Sequence, residues 1–163
     1  MNKDIYPFYQ AEDDFLYFFV SSGIKGDIQK AVVISDVPDS SNYPSDSVYN
    51  LGFGDVVAVS SSWILDDSPR SGNGDMPKVI ATVALIAMDF LREHPWALLS
   101  LEGYVDEKSA LQGKNHRNIL YQRAIDSNWA ELSTEFRFWG VKSGKTEDYI
   151  VGNQYDRILV NFK

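Results

Sequence analysis

Apolar and polar positions along this chain fall into two rhythms, and the change from one to the other marks out its elements. Through residue 59 the period is short. Tyr6–Tyr9 reads as a brief edge strand, because Pro7 cannot donate to a ladder. Asp14–Ser22 and Ile28–Ser35 are rich in aromatic and β-branched residues. They flank the turn chemistry of Gly23-Ile24-Lys25-Gly26-Asp27, so they predict an antiparallel hairpin. A polar run over 36–47 interrupts, and Val48–Val59 predicts the next strand. Gly52 and Gly54 inside it point to a bulge or a close backbone approach. Residues 60–75 read as a second long loop.

From Met76 the period lengthens. Val79, Ile80, Val83, Ile86, Ala87, Phe90 and Leu91 recur at three- and four-residue spacing, which predicts a helix with one apolar stripe lying on a sheet. Asp75 is placed to cap it, Pro77 suits its first turn and Pro95 stops it. Ala97–Leu101 is almost continuously apolar, as a strand covered on both faces would be. A second helix is predicted over Asn115–Ser127, with Ile119, Leu120, Ala124 and Ile125 inward. Leu132–Gly140 alternates like a strand, 141–155 reads as a polar loop, and Arg157–Phe162 closes the sheet with Ile158, Val160 and Phe162 on one face. The strands joined through the first helix should be parallel neighbours with a right-handed crossover. The expected fold class is therefore α+β: one domain, a mostly antiparallel twisted sheet, one parallel strand–helix–strand crossover and two main helices.

Composition narrows this picture. With 163 residues, 44% hydrophobic and 13% aromatic, the chain can bury a core, and it is neither fibrous nor disordered in type. It has no cysteine, so no disulfide frame and no thiolate metal site. The longest nearly apolar run, Val79–Leu91, falls short of the about 20 residues that span a bilayer. The acidic, aromatic start lacks a signal-peptide pattern, so a cytoplasmic protein is expected. A net charge of −8, from 23 acids and 15 bases, speaks against a broad duplex-binding surface. It fits solubility, or a basic partner.

Candidate chemistry centres on two places. Arg70, Gly72, Asn73 and Gly74 precede a helix N-terminus, where amides and the helix dipole favour an anion. Against this, an Asp75 carboxylate on the cap would take those donors and repel the anion. Arg117 and Tyr121 lie four apart on the second helix and share a face, so Tyr121 could serve as a general acid. Equally, Tyr121 could be a core aromatic with its hydroxyl at the rim. His94 and His116 lack metal-ligand spacing, and no metal site is assigned. The acidic pairs Asp13–Asp14, Asp66–Asp67 and Glu147–Asp148 read as solvated turns.

Two resemblances follow from the motifs. GFGD (52–55), NGD (73–75), KVIATVA (78–84), Phe90, Gly103, Arg117 and LYQRAI (120–125) resemble an uncharacterised family of small bacterial proteins. That family has an NGD–KV–ATVA block and an Arg-x-x-Leu-Tyr helix, and it carries no assigned activity. Here YVDEKSALQGKNH (104–116) replaces its short connection. Over about residues 48–162 the element order is also similar to the core of the GNAT N-acyltransferase superfamily. That resemblance implies acetyl-CoA or another acyl-CoA as cofactor, its pyrophosphate on the 70–74 loop, an amine substrate, and Tyr121 as general acid. The loop departs from the superfamily's glycine spacing, and residues 1–47 read as strands where two helices belong. Three classes stay open: a GNAT-like acyltransferase or inactive relative; a non-catalytic acidic module binding a basic protein, such as an inhibitor, immunity protein or antitoxin; and a nuclease using His116, Arg117 and Tyr121. The module reading draws on Tyr43, Trp63, Tyr104 and Tyr149, aromatics expected in or beside loops.

Overall fold

The computed structural model describes residues 4–11, 15–37, 47–66, 73–101 and 116–163, the side chains of His116 and Arg117 excepted. In chain order the described elements are β1 (Phe8–Gln10), β2 (Leu16–Gly23), β3 (Gly26–Asp36), β4 (Val48–Val59), β5 (Ser62–Asp66), α1 (Met76–Glu93) and β6 (Leu98–Leu101). Then come α2 (His116–Ser127), α3 (Trp129–Glu135), β7 (Phe136–Lys142), β8 (Lys145–Asp148) and β9 (Arg157–Phe162). The strands form one sheet in the order β1-β2-β3-β4-β6-β9-β7-β8, and β5 pairs with β4 off that path. All pairings are antiparallel except β4 with β6, which run parallel from Val48↔Leu98 to Leu51↔Leu101.

This corrects the expected fold class. The described residues hold a nine-strand mixed sheet and three helices, not a two-helix GNAT-like core. Two of the extra strands come from segments that read as polar loops. β5 returns along β4 through the two-residue turn Ser60-Ser61, with Ser60 at φ 54°. β8 returns along β7 through Ser143-Gly144, with φ 51° and 77°. Positive φ at such turn positions matches the strand twist. The third helix, α3, takes Leu132–Glu135 out of the predicted strand. It starts after Asn128, whose carbonyl accepts from Leu132 N–H at 2.9 Å.

All three helices pack on one face of the sheet. The α1 stripe buries Val79, Val83, Ile86 and Phe90 against Tyr17, Phe19, Val32, Leu51, Phe53 and Leu99. Arg92, in the last turn of α1, grips Glu135 at the end of α3 with two hydrogen bonds of 2.7 Å. That fork holds the Glu135 carboxyl below its ordinary range. The opposite face carries its own cluster, Val48, Leu98, Trp139 and Leu159, which no described helix touches.

β3, β4, β6, β9 and β7 share a lateral row on the helix face: Ile34, Leu51, Leu101, Ile158 and Gly140. Gly140 is small for a reason. A Cβ there would fall 2.2 Å from the ring of Tyr155, which lies over it. Gly52, by contrast, opens onto empty space and β4 pairs with β3 without interruption, so the glycine-marked bulge expected there is absent. We predict that Gly140→Ala destabilises the fold by about 1–3 kcal/mol through overpacking. Gly52→Ala should change it by less than about 0.5 kcal/mol. Urea denaturation of the two variants checks this, and equal midpoints would contradict it.

Candidate functional site

The described β4–β6 pairing covers Val48–Leu51, β4 runs on to Val59, and from Asp55 onward it pairs with β5. At this end the core face changes from apolar to polar. One lateral row reads Phe19, Lys30, Asp55, Asp66 across β2 to β5. Lys30 keeps the two-residue alternation of Val32 and Ile34, so it points into the same layer. Its side chain is only 3% exposed, and it forms an ion pair with Asp55, itself 19% exposed. Two charges taken out of water are tolerated only when they meet.

A second polar knot lies over the neighbouring corner, where α1 begins. Asp75 stands at the N-cap but makes no side-chain cap bond. The capping expectation is thus corrected: the carboxylate turns to Tyr6, whose phenol donates to Oδ2 at 2.5 Å, and to Ser21, whose hydroxyl donates to the same oxygen. Asp75 Oδ1 is buried without a partner among the described residues. Asn73 completes the knot. Its Oδ1 accepts from Lys25 N–H at 2.6 Å, and its Nδ2 donates to Ser21 Oγ and Gly26 O, both at 3.0 Å. Its carbonyl accepts from Ile24 N–H at 3.2 Å and approaches Gly23 so closely that a Cβ there would sit 2.1 Å from it. The loop before α1 is therefore stitched onto the β2–β3 turn.

A third network clasps residues 149–156 to α2. Asn118, Gln122 and Asp126 recur every fourth residue, so they line one helix face. Asn118 Nδ2 donates to Tyr155 O. Gln122 accepts from Tyr155 N–H at 3.0 Å and donates to Asn153 O at 2.5 Å. Asp126 accepts from the Tyr149 phenol at 2.7 Å and from Gly152 N–H at 3.3 Å.

The sequence-predicted site residues are scattered among these features. Asn73 and Gly74 lie at the α1 corner: Asn73 is 2% exposed and engaged as above, and Gly74 adopts φ 76° beside Ile24. Arg70 and Gly72 lie outside the described residues, as do Tyr43 and Tyr104. Tyr121 is 6% exposed in the helix-face core, its ring edge-on to Phe53 at 6.2 Å between centroids. Arg117 shares α2 with it, but its side chain is among those not described. Of the residues expected inward on α2, Ile125 is buried and Leu120 and Ala124 pack against the core, while Ile119 is half-buried outside it; Asn118, Tyr121 and Gln122 are buried as well. Tyr149, expected beside a loop, is buried. Sequence reasoning missed Ser21, Lys30, Asn118, Gln122 and Asp126. The four-residue spacing on α2 was the available signal. Lys30 and Asp55 become partners only once the β3–β4 register is known. Among the described residues no three His, Asp or Glu side chains converge as a metal site, and no helix is long and apolar enough to cross a membrane.

Fold and site together define a mixed-sheet domain with helices on one face and its corner polar groups committed to one another. The chain belongs to a family of unknown function, DUF6934, whose model matches residues 2–163. No curated protein and no solved structure matches it. The topological basis for an acyl-CoA site goes with the GNAT-like core.

Two predictions follow from these networks. Lys30→Met leaves Asp55 without its buried partner and should cost about 3–5 kcal/mol, much of it regained when Asp55→Val is added. A double-mutant cycle showing simple additivity would contradict this. Tyr6, Tyr149 and Tyr155 are all raised above the ordinary tyrosine value, first by burial and then by donating to Asp75, Asp126 and Glu147 respectively. Unfolded tyrosines ionise near pH 10. The folded chain therefore binds more protons above about pH 10, and stability must fall as pH rises from there. Denaturation midpoints across alkaline pH should drop for the native protein and drop less for Tyr149→Phe.

Proposed function

We propose that this protein is a non-catalytic binding module that docks a basic protein, in the manner of an inhibitor, immunity protein or antitoxin. The observation that carries the reading is the β4–β5 hairpin, which is apolar on both faces. Val57, Val59 and Ile64 point to one side and are 38%, 45% and 54% exposed. Val56, Ala58, Trp63 and Leu65 point to the other. Solvated hairpins are ordinarily blunted by lysine, proline or charge, and an apolar one gains free energy by being covered.

The hairpin joins a wider apolar area. On the sheet face away from the helices, Tyr9 touches Phe18 and Phe18 touches Trp63, with ring centroids 5.4 and 5.6 Å apart. Tyr9 and Val20 there are 59% and 44% exposed. Aromatic anchors of this kind supply most of the energy of protein interfaces. A chain of net charge −8 attracts a cationic partner and speeds its arrival. At the α1 corner the Tyr6 and Ser21 hydroxyls both turn to Asp75 Oδ2 instead of converging on an open cleft, which favours a binding role over a catalytic one.

Immobilised protein should capture a basic partner from native lysate at low ionic strength and release it as salt rises. A Val57→Asp/Ile64→Asp variant with an unchanged melting temperature should capture none of it. A protein that stays monomeric and partner-free at low salt would sink the reading.

A further inference from the structure

α1 and α2 meet across small residues, and the space between them is not filled. Ala81 on α1 faces Ala124 on α2, flanked by Pro77, Ile80 and Leu120, around a cleft of about 270 Å³. Adjoining it, and sharing Ile80 and Ala124, is a smaller apolar pocket of about 50 Å³ against Val83, Ala87 and Tyr121. Alanines on both helices bring too little volume to close the gap, so the lining forgoes dispersion contacts that a guest could restore.

The rim is of opposite character. Arg123 stands on it, exposed, and among the described residues its guanidinium has no ion pair and no hydrogen bond. Ser127 and Asn128 lie on the same wall. Asn128 spends its amide N–H on Ala124 O at 2.8 Å. Arg92 and Arg137, by contrast, each meet a carboxylate. Arg123 stands over the apolar floor of a cleft, and a guanidinium is built to take a carboxylate or phosphate oxygen pair.

We propose that the α1–α2 cleft binds a small amphipathic anion, its headgroup on Arg123 and its short hydrocarbon tail between Ile80, Ala81, Leu120 and Ala124. The volume lies near the lower end of small-ligand pockets, which suits a guest of about ten non-hydrogen atoms. The cleft lies within the helix layer and is independent of the hairpin surface.

The test is a methyl-resolved NMR titration of the full chain with octanoate, octyl phosphate, octanol and acetate. Octanoate or octyl phosphate should shift the methyls of Ile80, Ala81 and Ala124 saturably, and comparing the two says which headgroup is preferred. Octanol and acetate should bind at least about tenfold more weakly, since each lacks one half of the recognition. Arg123→Gln, a surface change that leaves the fold intact, should weaken octanoate by about tenfold or more. Ala81→Phe should abolish binding by filling the cleft. Absence of shifts at millimolar octanoate and octyl phosphate, octanol binding as tightly as octanoate, or full affinity in Arg123→Gln would each overturn the proposal, whether or not Ala81→Phe folds.

Discussion

The middle strands of this sheet are apolar on both sides, and the described helices all lie on one of them. α1, α2 and α3 all lie on the face that carries Phe19, Val32, Phe53 and Leu99. The other face holds a second buried cluster, Val48, Leu98, Trp139 and Leu159, and further along the part-exposed Phe18, Val20 and Trp63. β4, twelve residues long, bridges the two regimes: its first part lies beside β6 in the sheet's centre, and its second part leaves with β5 as a hairpin into solvent.

The polar networks sit where the two-layer packing runs out. Lys30 and Asp55 close the helix-face core where β4 begins to pair with β5. Tyr6, Ser21, Asn73 and Asp75 seal the adjoining corner, tying three stretches far apart in sequence: the first strand's approach, the β2–β3 turn and the start of α1. The α2 ladder does the same for residues 149–156. These groups tie the loops to the sheet edge through side-chain hydrogen bonds.

Much of the architecture was legible from residue spacing, and the failures have identifiable causes. The α1 stripe, the span of β4 and the span of β9 follow directly from periodicity, because each is long or strongly patterned. β5 and β8 were not legible as strands. SWILD and KTED are short, and their pairing is dictated by two-residue turns at Ser60 and Ser143 whose positive φ no propensity scale anticipates in serine. Leu132–Glu135 became helical although it alternates, since tertiary packing of Leu132 into the helix layer outweighs a four-residue pattern. Of the expected site residues, Asn73 was placed at a corner of real chemical density but as a structural tie, and Tyr121 packs within the core. The partner of a buried lysine, or the destination of the Asp75 carboxylate, depends on cross-strand register, which a single sequence does not print.

The position of β9 has a kinetic meaning. It lies between β6 and β7, so β6 keeps one edge open while α2, α3, β7 and β8 are made, and only then receives its neighbour. During synthesis the sheet therefore stays incomplete until β9, at residues 157–162, emerges. Closing it demands a long loop search late in the process.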